Sequence, residues 1–181
     1  VTGGTSGLGL ELVKLFLRKN YFVIVTGRKH LKLEGFDDRV KFYRMDFNNL
    51  KECADCVKTI CNEYQIDFVV NNAGILSPPE FISTSDGNEY TFQVNFLTHL
   101  LINEIVIRSN GSQHPLRIAS VTSMVYKLAK SDMTYCRKKE CYSPVRAYSD
   151  SKFFLALMSG YFAAKYNGYS LLCFSLDPGI F

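Results

Sequence analysis

A tyrosine and a lysine stand four residues apart in AYSDSK, residues 147–152, just ahead of the apolar run FFLALM. In a helix that spacing puts both side chains on one face, a turn apart. The pair has two readings. It is the polar opening of an ordinary surface helix, or it is a proton donor beside the cation that tunes it. A free phenol, with a pKa of about 10, is a poor acid or base near neutrality. Lowering it by about three units takes ~4 kcal/mol of phenolate stabilisation, which a fixed ammonium group can help to supply. A hydroxyl able to assist is Ser123, two residues behind the apolar stretch LRIASV. Placed at a strand end, it would donate to a substrate oxygen on which charge develops. Ser120 and Thr122 are its rivals by chemistry.

The second candidate site is at the start of the chain. TGGTSGLG places Gly3, Gly7 and Gly9, with Thr5, Ser6 and Leu8 between them, where a strand end would turn into a helix. Glycines there allow a tight turn and a close approach of pyrophosphate to the backbone. The helix N–H groups and dipole then favour the anion. The spacing is G-x-x-x-G-x-G, and the competing reading is a plain strand-to-helix connection. About 20 residues on, where a dinucleotide fold places the adenosine ribose, the chain reads Thr26-Gly27-Arg28-Lys29. Arg28 and Lys29 suit a 2′-phosphate, so NADP(H) is expected over NAD(H). Asp46 could bond the adenine amino group, or cap the next helix through Asn48-Asn49.

The elements that must position these residues alternate throughout. Apolar periodicity predicts helices over 8–19, 50–64, 87–109 and 147–166, and strands over 21–26, 40–45, 67–70, 116–121 and 170–176. Ser85-Asp86 is the expected cap of the third helix. Residues 125–146 are basic and aperiodic and read as an inserted loop. Strands joined by crossover helices imply a doubly wound parallel sheet, a Rossmann-type three-layer αβα domain spanning 1–181. Ligands then bind at the carboxyl ends of the strands.

Composition narrows the function. The chain has 181 residues, 47% of them hydrophobic, and a net charge of +4, too small and scattered for nucleic-acid binding. The sequence contains no apolar run long enough to span a bilayer. Cys53 and Cys56 have metal-ligand spacing, but in a helix residues three apart simply share a face, so structural thiols are expected and no metal. His30, His99 and His114 do not cluster. Both ends read as cut, one inside a strand and one just after a strand, so the stretch is expected to be an internal piece of a longer protein. It is expected in the cytoplasm, or on the endoplasmic reticulum membrane through segments outside this stretch.

TGGTSGLG at 2–9, Asp46, NNAG at 71–74, Asn95, Ser123, the Tyr148/Lys152 pair and Pro178-Gly179 together resemble the short-chain dehydrogenase/reductase family, in its order and over the whole chain. DGNEYTFQVNFLTHLL at 86–101, with the long gap from Ser123 to Tyr148, resembles its retinol-dehydrogenase-like branch. The branch pattern departs after Asn95, where Phe96-Leu97-Thr98-His99 stands in place of a histidine and a glycine. The resemblance implies Tyr148 as general acid/base, Lys152 lowering its pKa and binding the nicotinamide ribose, and Ser123 as the catalytic serine. It implies that Asn95 holds a water linking Lys152 to bulk. Asn72, Ala73 and Gly74 would line the cofactor channel, and Pro178 and Gly179 the nicotinamide pocket. It further implies a lipophilic alcohol or carbonyl substrate, a mobile lid beyond Gly179, and a homodimer through the helix bearing Tyr148. The competing function is a nucleotide-binding sensor on the same fold. The basic stretch Lys127, Lys130, Arg137, Lys138 and Lys139 reads as a solvated insertion or as a membrane-surface contact.

Overall fold

The computed structural model describes residues 1–31, 38–136 and 139–179. Helix α1 (Gly7–Arg18) leads to strand β1 (Val23–Gly27), which pairs in parallel with β2 (Val40–Arg44). Helix α2 (Leu50–Glu63) crosses to β3 (Phe68–Asn71). A helical segment then runs through α3 (Tyr90–Phe92), a π-turn at Gln93–Leu97 and α4 (Thr98–Asn110) to β4 (Leu116–Val121). Helix α5 (Pro144–Lys165) returns the chain to β5 (Leu171–Leu176). Strands β3, β4 and β5 form a second parallel sheet in that order. The expected α/β, doubly wound αβα architecture is the observed one.

The two sheets are joined by backbone bonds at the first residues of the chain and by side chains of the larger core. Thr2 forms a parallel bridge to Thr26 of β1, and its N–H donates to Val70 of β3 at 3.0 Å. Behind that joint, a groove of about 480 Å³ lies between the two sheets, lined by Phe16, Val23, Ile60, Phe68 and Ile102 among others. Two buried apolar clusters result. Val13, Leu17, Val23 and Val25 form one, under α1. The larger joins β3 and β4 to α2, α4 and α5 through Val57, Val69, Ile107, Ile118, Leu155 and Phe162.

Three expectations change. The helical segment after β3 begins at Tyr90, not at Gly87, and its cap is Glu89, not Ser85-Asp86. Glu89 is fully buried, and its carboxylate accepts from the N–H groups of Thr91 (2.9 Å) and Phe92 (2.7 Å). Gly87, at φ +81°, turns the chain first, and Asp86 faces sideways to accept from the Leu50 N–H and Gln93 Nε2. Helix α5 begins at Pro144, three residues early, because proline's fixed φ suits a first helical position. Tyr148 therefore sits in the second turn, and Ser149 and Asp150 are not first-turn surface residues; both are fully buried. The insert is not a featureless loop. It holds short 3-10 turns at Met124–Leu128, Met133–Cys136 and Lys139–Cys141, anchored by the buried Tyr135.

Candidate active site

The glycine loop is folded against the turn that follows β3. Asn72 Nδ2 donates to the Thr2 and Gly3 carbonyls at 3.0 and 3.3 Å. The Thr2 hydroxyl oxygen accepts from the N–H groups of Asn72 and Ala73, each at 3.0 Å. Gly9 is required by this closeness, since a Cβ there would lie 2.3 Å from the Gly3 carbonyl oxygen. A cavity of about 250 Å³ opens in front of the loop. It gathers Gly3, Thr5, Ser6, Leu8, Gly9, Arg28, Asp46, Asn72, Ala73 and Gly74, ten of the expected cofactor residues. Thr26, Gly27, Met45, Phe47, Ile75, Tyr90 and Val94 complete it. Of these, Tyr90 and Val94 were legible as one helix face; the others follow strand ends that the sequence located.

The lining suits a nucleotide. No side chain caps the first turn of α1 and no acidic residue stands in it, so its N–H groups are available to an anion. Asp46 does both less and more than expected: its Oδ1 accepts from the Asn48 N–H at 3.1 Å, while Asn49 caps α2 by accepting from Glu52. Gly7 turns the loop at φ +52° but does not line the cavity. Pro178 and Gly179 also lie outside the lining, following β5, with the Gly179 N–H bonded to Asp177.

Beside Gly74 the catalytic candidates converge. A Cβ on Gly74 would sit 3.3 Å from Asn95 Oδ1 and 3.5 Å from Lys152 Nζ. Lys152 is buried and donates to the carbonyl of Val121, the last residue of β4, at 3.0 Å. Its Nζ lies 5.7 Å from the centre of the Tyr148 ring. Tyr148 is half-buried, and among the described residues its phenol has no hydrogen-bond partner. Asn95 is fully buried in the π-turn, a feature that often marks function. Its Oδ1 accepts from the Ile75 N–H at 2.8 Å, and its Nδ2 donates to the Ile75 carbonyl and to Ser151, both at 3.0 Å. Ser151, which the sequence did not single out, donates in turn to the Tyr148 carbonyl at 2.7 Å. His99 reaches the Asn95 carbonyl and the Thr2 hydroxyl; burial pushes its pKa down to about 4, so it is a neutral spacer.

The three rival hydroxyls separate by position. Ser120 is buried against Asn71, and Thr122 donates to the Leu176 carbonyl at 2.9 Å. Ser123 is partly exposed and only accepts, from the Val125 N–H at 3.4 Å, leaving its proton free to donate. No hydrogen bond joins Ser123 to Tyr148 among the described residues.

Burial pushes the Lys152 ammonium down to about 8, from its ordinary 10.5. The folded protein therefore binds fewer protons here than the unfolded chain between those two values. The burial cost of the charge is present below about 8 and disappears as pH rises toward 10.5. Relative to Lys152→Met, the wild type is expected to gain on the order of 3 kcal/mol between pH 7 and 10.5. Urea melts of the nucleotide-free proteins across that range check it; a constant difference sinks it.

Parallel strands joined by crossover helices, with a glycine-rich loop opening a helix whose first turn is uncapped, form the architecture of a dinucleotide-binding domain. The family model described as short chain dehydrogenase matches residues 1–181, and the chain belongs to that family. It is 28% identical to human polyprenol dehydrogenase over 99% of this chain and 59% of that protein. It is 27% identical to mouse retinol dehydrogenase 13 over 99% and 57%. The chain thus spans less than two thirds of these relatives. A crystal structure of a short chain dehydrogenase from Leptospira borgpetersenii with bound NAD+ superposes at a TM-score of 0.73, with 25% identity, covering 99% of this chain and 70% of that one.

Among the described residues no helix is long and apolar enough to cross a membrane. Of the basic stretch, Lys127, Lys130 and Lys139 are exposed, whereas Arg137 and Lys138 lie outside the described residues.

Proposed function

We propose that this chain carries the nucleotide-binding and catalytic part of an NADP(H)-dependent oxidoreductase that interconverts a hydrophobic alcohol and its carbonyl compound. The observation that carries this reading is the approach of Asn95 and Lys152 to Gly74, which lines the nucleotide cavity, with the Tyr148 ring 5.7 Å from the Lys152 ammonium. NADP(H) would supply or accept the hydride. The protein's own residues handle the proton and the charge. During reduction, the Tyr148 phenol donates its proton to the forming alkoxide, and the free Ser123 proton bonds the same oxygen. The ammonium of Lys152, mostly charged at pH 7, stabilises the phenolate left behind. Asn95 and Ser151 tie the π-turn to α5 and so fix the height of that turn. The reverse sequence serves alcohol oxidation.

The test is NADPH consumption by the full-length protein against a panel of lipophilic ketones and aldehydes. Turnover with none of them, in either direction, would end the proposal in favour of a nucleotide-binding sensor. Arg28 is exposed at the cavity rim, where it would pair a 2′-phosphate. Arg28→Glu is expected to cut the NADPH-over-NADH preference about 100-fold, through a higher KM for NADPH. An unchanged preference would move the phosphate elsewhere.

A lipophilic substrate also fits the exposed Leu76, Met124 and Leu128 that follow Gly74 and Ser123. Met124 and Leu128 stand beside exposed Lys127 and Lys130, the composition of a membrane-surface contact. Salt-sensitive binding to anionic vesicles tests that contact. The homodimer is proposed on the outer face of α5, where Leu157 and Tyr161 stay exposed; sedimentation of Tyr161→Glu tests it.

A further inference from the structure

Two residues after Tyr148 and two before Lys152 stands Asp150. A two-residue step turns an α-helix by about 200°, so this side chain leaves α5 on the side away from the catalytic pair. There it meets protein. The carboxylate is fully buried. Its Oδ1 accepts from the backbone N–H groups of Lys130 at 2.9 Å and Ser131 at 3.1 Å. Its Oδ2 has no hydrogen-bond partner among the described residues. A buried carboxylate is costly unless bonded, so its presence here needs a reason.

The reason lies in what it holds. Ser131 is one of two non-glycine residues in the left-handed region among the described residues, at φ +52°, a conformation that must be held by its surroundings. One turn earlier on α5, Arg146 donates to the Asp132 carboxylate at 2.9 Å and lies 5.9 Å from the centre of the buried Tyr135 ring. The turn from Arg146 to Asp150 thus fastens Lys130, Ser131, Asp132 and Tyr135. The same segment begins at Ser123, which caps the 3-10 turn Met124–Leu128 packed on α5. That cap is a single long contact, from the Val125 N–H to the Ser123 hydroxyl at 3.4 Å. Ser123 is therefore one end of a strap. The other end is locked to the reverse side of the helix that carries Tyr148 and Lys152.

We propose that Asp150 is a positioning residue for the reaction. Its carboxylate fixes the strap to α5 and thereby holds the Ser123 hydroxyl in register with the Tyr148 phenol. The proposal rests on the reading of Ser123 and Tyr148 as the groups that meet the substrate oxygen.

The strap contains the tryptic sites Lys127 and Lys130, both exposed, so its attachment can be read separately from chemistry. In the full-length protein, Asp150→Ala is expected to speed tryptic cleavage after Lys127 and Lys130 about tenfold. It should also lower kcat about 30-fold, with the KM for NADPH within threefold of wild type. Asp150→Asn, which keeps an acceptor oxygen for both N–H groups, should restore protection and kcat to within about threefold. If Asp150→Ala does not fold, Asp150→Ser replaces it, because its hydroxyl can turn back on its own helix while the Lys130 and Ser131 N–H groups still lose their acceptor. Faster cleavage with wild-type kcat overturns the positioning role. So does a loss of kcat that Asp150→Asn fails to rescue. A wild type inactive on every carbonyl tested overturns the functional reading and this role with it, and is told apart because the cleavage difference would persist.

Discussion

Tyr148→Phe is expected to lower kcat by about 10³-fold while leaving the KM for NADPH within a factor of two. The substitution removes one oxygen from a half-buried ring that has no hydrogen-bond partner among the described residues, so folding has little to lose. The ring keeps its place beside the Lys152 ammonium. What disappears is the proton that meets the forming alkoxide, a group whose interaction exists in the transition state and hardly in the ground state. Steady-state NADPH oxidation with the best carbonyl of the panel measures it, and thermal melts confirm an unchanged fold. Full activity in Tyr148→Phe would transfer the acid role to another group, with Ser123 the first to examine.

Gly9→Ala is expected to destabilise the protein by about 3 kcal/mol and to abolish nucleotide binding. The added methyl would fall 2.3 Å from the Gly3 carbonyl oxygen and 2.4 Å from Asn72 Nδ2. The first of these is backbone and cannot swing aside. Either the loop lifts from the turn after β3, breaking the Asn72 bonds to Thr2 and Gly3, or α1 moves. Both outcomes deform the anion site. Gly7→Ala is the control. Its φ of +52° is disfavoured for alanine, but no atom lies within 4 Å of the new methyl, so the expected cost is about 1 kcal/mol. Thermal melts of the two variants with and without NADPH compare them. Equal losses would mean that closeness to Gly3 is not what selects glycine at position 9.

The strands and the spacing of the candidate pair were legible for the same reason: each depends on short-range pattern. LRIASV announced β4 to the residue, and the four-residue step from Tyr148 to Lys152 survives any shift of helix start. What was hidden depends on distant partners. Glu89 is not among the preferred cap types, and it succeeds because a bridge between Ser83 and Glu89 holds it at the helix entrance. Ser85-Asp86 looked right and faces α2 instead. Asp150, inside SDS, has the composition of a wet surface. Only the fold reveals that residues 130 and 131 bring it two N–H groups. The family resemblance singled out Ser123, but a physical ground for preferring it to Ser120 and Thr122 came only with β3 and β5, which occupy the other two.

The joint at Thr2 gives nucleotide binding a second meaning. Arg28 and Asp46 follow the strands of one sheet, while Asn72 to Ile75 follow a strand of the other, and all face one cavity. Between the two halves run the backbone bonds of the first residues and one shared buried cluster, in which Met45 and Phe47 lie with Val69 and Ile118. On the proposed reading, a dinucleotide lying across the cavity would be a crosspiece, and its binding free energy would oppose any separation of the strand ends it spans. The cofactor would then brace the site as well as react in it.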